Sequence, residues 1–382
     1  MFDDRQEKLE EIRAQVREWA IRELTPVSDR WDREVEPKFP GELYCRMGEL
    51  GFIGFNSPVE YGGQGKSNTE FAAVIEELGY HDVAFAVMCG IGRLFTYPLL
   101  RWGADHLKTR YVADCVSGRR VCAFALSEPG AGSDAAGLQT VARTDGDEFV
   151  IYGEKTLVTS GDAAEVVLLF CRVEGYRKIS AFVVDTGQPG WKARALERKL
   201  GIRASTTAHL TLDGVRTPAV NLVGNFDDGF KIAMATLDGA RISVAAQGVG
   251  VARRALDESV RYAKKRHAFG APIAKLQAIQ WMIADMATRL EAARLLTYRA
   301  AHLQDRGESV SLAAAQAKLF AAETANFCVD RAVQIHGGYG FIGEFSPVEK
   351  LYRDQRFLQI GEGTSEIQRM VIARTILDGS GN

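Results

Sequence analysis

The chain has 382 residues, 46% of them hydrophobic and 25% charged. That length favours two or three packed subdomains over one small core, and that composition excludes a disordered or low-complexity protein. A formal net charge of -2 and a pI near 6.4 leave no positive excess to neutralise nucleic-acid phosphates, so no nucleic-acid partner is expected.

At the N-terminus, MFDDRQEKLEEIR lacks the apolar core of a signal peptide. Apolar runs such as VVLLF before Cys171 are too short to span a bilayer. These features predict no membrane insertion and a cytoplasmic location, or a mitochondrial-matrix one for a processed eukaryotic protein. Residues 1–118 read as an N-terminal helical domain: RQEKLEEIRAQVREWAIREL has apolar residues at helical spacing, and ELYCRMGELGF, NTEFAAVIEELGY and DHLKTRYVADCVSG continue the pattern.

Over residues 119–225 the period changes to two. VCAFALS, LQTVART, FVIYGEKTLVTS, EVVLLFCRV, KISAFVVDT, WKARALER and AHLTLDGV are separated by turn signals such as DGD, GQPG and Asp213–Gly214. This predicts a middle domain of antiparallel β type. Over 226–382 the helical period returns in three long segments, predicting a C-terminal four-helix bundle. The fold class is therefore α+β, in the order α, β, α.

Several motifs point nowhere. GAGSDA at 130–135 matches G-x-G-x-x-A after a strand, but its continuation reads as strand and turn, where a dinucleotide fingerprint needs a helix. YGGQGKS at 61–67 has Glu60 where a P-loop needs glycine. The six cysteines lie far apart without a CxxC pair, the six histidines include no H-x-x-x-H pair, and no G-x-S-x-G elbow occurs. No metal site, disulfide framework or serine triad is predicted.

QIGEGTSEIQR at 359–369 places Glu362 between two glycines, ahead of a helix that the S-x-x-Q pattern of Ser365 and Gln368 predicts to begin at Ser365. Alone, Glu362 reads as a solvated acid before a helix N-terminus. CAFALSEPGAGSD at 122–134, RHAFGAPIAKLQAIQ at 266–280, QIHGGYGF at 334–341 and QIGEGTSEIQR together change that reading. In this order, over nearly the whole chain, they resemble the acyl-CoA dehydrogenase flavoprotein family.

The resemblance implies FAD. It implies flavin contacts from Phe124, Leu126, Ser127, Leu157 and Thr159. It implies pyrophosphate contacts from Ser133, Arg266, Phe269, Gln334, Gly337 and Gly338, the last two from a neighbouring subunit of a homotetramer. Thr364 and Glu366 would complete the contacts near the helix start. Glu362 is the implied base, removing the α proton of an acyl-CoA while the β hydrogen leaves as hydride to flavin N5. Its own N–H and a ribityl hydroxyl would bond the thioester oxygen. Ser133, Asp238, Arg241 and Gly363 are implied substrate contacts, with an exposed helix pair as the lesser alternative for Asp238 and Arg241. The implied electron acceptor is an electron-transfer flavoprotein.

Four departures qualify the likeness. Ala240 stands where one branch of the family carries its base, which leaves Glu362 without a rival. Gly361 stands where many straight-chain members have Tyr, suggesting room for a short branched or alicyclic acyl group. Leu157 replaces a common Trp, which bears on the acceptor. Ala268 replaces a polar residue, a loss of about 1 kcal/mol that FAD binding should survive. Acyl-carrier-protein thioesters, flavin monooxygenase chemistry and a non-catalytic scaffold are the alternatives.

Overall fold

The computed structural model describes residues 2–33 and 38–379, with side chains from residue 6. The N-terminal part is helical: α1 (Phe2–Trp19), a π turn over Ala20–Leu24, α2 (Thr25–Arg33), α3 (Gly41–Glu49), α4 (Asn68–His81), α5 (Val83–Trp102) and the short α6 (Asp105–Leu107) and α7 (Ala113–Val116). Helix α4 starts at a capping box. Ser67 Oγ accepts the Glu70 N–H at 3.1 Å, and Glu70 accepts the Ser67 N–H at 2.8 Å.

Helix α5 falls inside the expected helical domain, although no quoted segment of the sequence marks it. VAFAVMCGIGRLFTYPLLRW is long and apolar enough to cross a membrane by length and composition, yet 78% of that apolar window is buried inside the protein. A helix packed on most sides has no polar face, so its sequence carries little period to detect.

The middle sheet contains β1 (Cys122–Ala125), β2 (Val141–Asp145), β3 (Glu148–Thr159), β4 (Val166–Val173), β5 (Ile179–Asp185), β6 (Trp191–Ala195), β7 (Thr207–Pro218) and β8 (Leu222–Val223). Its order is β6-β7-β3-β2-β4-β5-β8, with β1 also paired to β4. The sheet is mixed, which corrects the antiparallel expectation. Cys122 of β1 faces Val166, and Val141 of β2 faces Arg172, both in parallel pairings along β4. The β2–β3 hairpin lies between β1 and β4 in sequence, enough chain to return β4 in the direction of β1.

Both faces of β4 are covered. Val166, Leu168 and Phe170 join a cluster with Phe95, Leu107 and Tyr111 of the helical part, while Val167, Leu169 and Cys171 join Phe149, Phe182 and Leu210 on the other face. That is why VVLLFC is continuously apolar where a half-exposed strand would alternate. The expected Asp213–Gly214 turn is instead a bulge inside β7. Tyr152 pairs with Asp213 and Ile151 with Val215, leaving Gly214 (φ 78°) as the extra residue.

The C-terminal part holds α8 (Gly229–Lys265), a small hairpin of β9 (His267–Ala268) and β10 (Ala271–Pro272), α9 (Gln277–Asp305), α10 (Ser311–His336), α11 (Gly338–Phe341), α12 (Val348–Gln355) and α13 (Ser365–Leu377). Helix α10 lies against α8, α9 and α13, and α4 packs on α8. One core runs from Val16, Phe71 and Ile75 through Val249 and Leu290 to Ala321 and Leu358, so the helices on either side of the sheet in sequence share a single interior.

Candidate active site

The segment before α13 carries the geometry. Glu362 takes a left-handed backbone (φ 56°), a conformation that costs a non-glycine residue about 1–2 kcal/mol, and Gly363 follows at φ 90°. Side chains from three helices hold these two residues. The Glu362 carbonyl accepts from Arg241 Nε of α8 at 3.4 Å and from Gln368 Nε2 of α13 at 3.3 Å. The Gly363 carbonyl accepts from Lys318 Nζ of α10 at 2.7 Å and again from Gln368 Nε2 at 2.8 Å.

The S-x-x-Q pattern is therefore not a capping box. Thr364 is the N-cap, its hydroxyl accepting the Ile367 N–H at 3.3 Å, and the Gln368 amide is spent on the two carbonyls instead. Among the described residues no acceptor takes the Glu362 N–H. An amide left free beside an acid is a donor available to a ligand oxygen.

Burial raises the Glu362 carboxyl above its ordinary range, opposed by the positive charges of Lys318 and Arg241. Burial likewise pushes the Lys318 ammonium down to about 8, with Glu362 holding it up in part. Arg241 is 5% exposed and bonds the partly buried Asp238 at its Oδ1 at 2.5 Å, so the two are not an exposed helix pair. Asp238 also accepts from the Ser311 hydroxyl at the start of α10.

Lys318 and the role of Gln368 escaped the sequence reading. A signal existed: in SLAAAQAKLFAAETA, Lys318 shares the buried stripe of Ala314, Ala321 and Ala325 and is itself fully buried. A lysine at a core position of an amphipathic pattern requires an explanation.

Phe124 joins this region from the sheet. It packs on a small cluster of Ile91 and Leu94 from α5 and Ala240 from α8, the residue before Arg241. Leu126 and Ser127 follow directly, their carbonyls committed to Lys155 Nζ (3.0 Å) and the Thr156 N–H (2.9 Å). Lys155 is fully buried and bonds Glu128 at 2.8 Å. Glu128 also accepts the N–H groups of Gln139 and Thr140, stiffening the chain after β1. Ser133 is exposed in the loop beyond.

Thr159 ends β3 opposite Thr207, between Leu157 (φ 58°) and Ser160 (φ 57°). Beside it, Ser205 Oγ and Thr206 Oγ1 are buried without a hydrogen-bond partner among the described residues. Orphaned hydroxyls next to Thr159 and a partly open Phe124 fit a polar aromatic ligand laid along this edge.

The remaining candidates form a separate group. The Arg266 guanidinium lies 5.6 Å from the Tyr339 ring centroid, which places it beside Gly337 and Gly338 at the end of α10, with exposed Gln334 one turn back. Arg266 thus falls with the residues expected from a neighbouring subunit. Phe269 at the β9–β10 tip is 94% exposed, and Phe341 and Phe345 are 80% and 61% exposed. Glu366 is exposed on the first turn of α13, held below its ordinary pKa by its own N–H and by Thr364.

Family models match the chain along its length. The acyl-CoA dehydrogenase N-terminal domain matches residues 6–119, the middle domain 123–215 and the C-terminal domain 227–377. A 3-(aryl)acrylate reductase of Clostridium sporogenes is 41% identical over 99% of this chain and 100% of its own. The mitochondrial short-chain specific acyl-CoA dehydrogenase of Bos taurus is 43% identical over 96% of this chain and 89% of its own. The structure of butyryl-CoA dehydrogenase from Megasphaera elsdenii superposes with a TM-score of 0.93 at 35% identity, covering 97% of this chain and 98% of that one. The chain belongs to the acyl-CoA dehydrogenase family. Its chemistry is accordingly the FAD-dependent oxidoreduction of a CH–CH bond in an acyl-CoA.

Proposed function

We propose that Glu362 is the base that removes the α proton of a short acyl-CoA, branched or alicyclic near the thioester. The observation that carries the assignment is the free Glu362 N–H beside a carboxyl whose proton affinity burial has raised. The amide bonds the thioester oxygen as negative charge develops there, and the carboxylate takes the proton from the adjacent carbon. Arg241, steadied by Asp238, holds the backbone at this point, and Asp238, Arg241, Ser133 and Gly363 make the substrate contacts.

FAD, when bound, supplies the acceptor for the β hydrogen and its electron pair. Phe124, Leu126, Ser127, Leu157 and Thr159 hold it from one subunit, with Ser133, Thr364 and Glu366 nearby. Arg266, Phe269, Gln334, Gly337 and Gly338 reach it from a second. The exposed Phe269, Phe341 and Phe345 support that sharing, because a homotetramer covers them. An electron-transfer flavoprotein is the proposed acceptor, docking beside the 65% exposed Leu157.

Gly361 supports the branched or alicyclic preference, since it puts no side chain beside the base. A Cβ at Gly361 would stand 2.5 Å from the Phe357 ring, so that ring already takes part of the room. This favours a short straight chain as the second reading. The test is anaerobic bleaching of the flavin by straight, branched and alicyclic acyl-CoAs, with wild type and Glu362→Gln. Bleaching in wild type alone is expected; equal bleaching by the variant would remove Glu362 from the role.

A further inference from the structure

Lys318 poses a problem that stability does not solve. Its side chain is fully buried, and burial has drawn its pKa down to about 8, a sign that the charge is costly where it sits. No carboxylate among the described residues lies within 4.0 Å of it. Its hydrogen bond goes to the Gly363 carbonyl, which Gln368 Nε2 already satisfies at 2.8 Å. An apolar side chain there would leave no orphaned acceptor and would remove a buried charge.

The charges around Glu362 come from three helices. Arg241 from α8 is neutralised by its 2.5 Å bridge to Asp238. Glu366 from α13 is exposed and lies on the side of Lys318, with Arg356 and Arg369 beside it. Lys318 from α10 forms no salt bridge among the described residues; the charges that hold it up are Glu362 first and the exposed Glu366 second. It also grips the carbonyl of the residue that follows Glu362, in a segment whose left-handed backbone needs holding.

We propose that Lys318 is a positioning residue for the α-proton transfer: its buried ammonium, bonded to the Gly363 carbonyl at 2.7 Å, fixes the Glu362–Gly363 backbone and favours the ionised base when substrate arrives. This rests on Glu362 being the base. The device exchanges some fold stability for an ionised base held in place, the kind of exchange expected at a functional site.

The experiment uses FAD-loaded wild type, Lys318→Met, Lys318→Gln, Lys318→Arg and Glu362→Gln. For each, the anaerobic bleaching rate is followed across pH with the best acyl-CoA, the Glu362 carboxyl is titrated by infrared difference spectroscopy without substrate, and the melting temperature is measured. Removing an opposite charge that faces a carboxyl raises its pKa, so the neutral variants should need a higher pH than wild type in both titrations. Their melting temperature should equal or exceed that of wild type, and Lys318→Arg should restore most of the wild-type pH profile. Neutral variants that melt lower with unshifted titrations would make Lys318 a structural residue and overturn the proposal. If Lys318→Met does not fold, Lys318→Gln decides by the same readouts. Bleaching by Glu362→Gln at the wild-type rate would instead refute the base assignment, and the infrared titration would still report the coupling.

Discussion

Gly361→Ala puts one methyl group where the Phe357 ring now lies. The Cβ would stand 2.5 Å from both Cε2 and Cζ of that ring, closer than real contacts allow, and 3.2 Å from Cδ2. Gly361 itself has no left-handed backbone, so the cost is steric and falls on Phe357. The ring is partly buried and packs on the main core, which limits how far it can turn. Overpacking of this kind costs about 1–3 kcal/mol, read as a drop of a few degrees in melting temperature at fixed protein and FAD concentration. Phe357→Ala should relieve it, so the double variant should lose less than the two single losses added together. It should also widen the range of acyl groups that bleach the flavin, since the ring lies against Gly361, the residue before Glu362. Strict additivity, or a Gly361→Ala protein as stable as wild type, would refute the claim that Phe357 fills this space.

Lys155→Met should destabilise the protein by about 3–5 kcal/mol, because it leaves Glu128 buried without its cation; Lys155→Met with Glu128→Leu should recover much of that loss in the same melting assay. Gly363→Ala at φ 90° should cost about 1–2 kcal/mol in strain. Its Cβ, 2.9 Å from Gln368 Nε2, should displace the amide that holds both carbonyls, so the bleaching rate should fall further than stability does. Burial raises the Glu362 pKa above its ordinary 4.5, so between that value and the raised one the folded protein binds more protons than the unfolded chain. Its contribution to stability therefore falls as pH rises through that window. Glu362→Gln should melt no lower than wild type at pH ~7, with the difference narrowing as pH falls; a variant that melts lower at neutral pH than in acid, relative to wild type, would contradict the sign.

The strands and long helices were legible because they alternate or repeat against water. β3 and β7 show it in their mixed burial, and the order α, β, α follows from where the period changes. Helix α5 was not legible for the opposite reason: buried on most sides, it shows no contrast between faces. The parallel β1–β4 pairing was hidden because a strand's sequence says which faces are apolar and nothing of which neighbour lies alongside.

The site divides along the same line. Glu362 stood out because two glycines flank an ionisable group, a pattern that local composition displays. What makes it a base lies elsewhere in the chain: Arg241, Lys318 and Gln368 sit on three helices up to 121 residues away and converge on two carbonyl oxygens. None of the three has a partner in its own stretch that predicts this. Gln368 even suggested the wrong one, because S-x-x-Q describes a cap equally well until Thr364 is seen to hold that place. A local sequence pattern can name the acid, but the proton affinity of that acid belongs to the charges folding brings around it. Lys318, silent in its alanine-rich helix, is one of them, fully buried and in no salt bridge among the described residues.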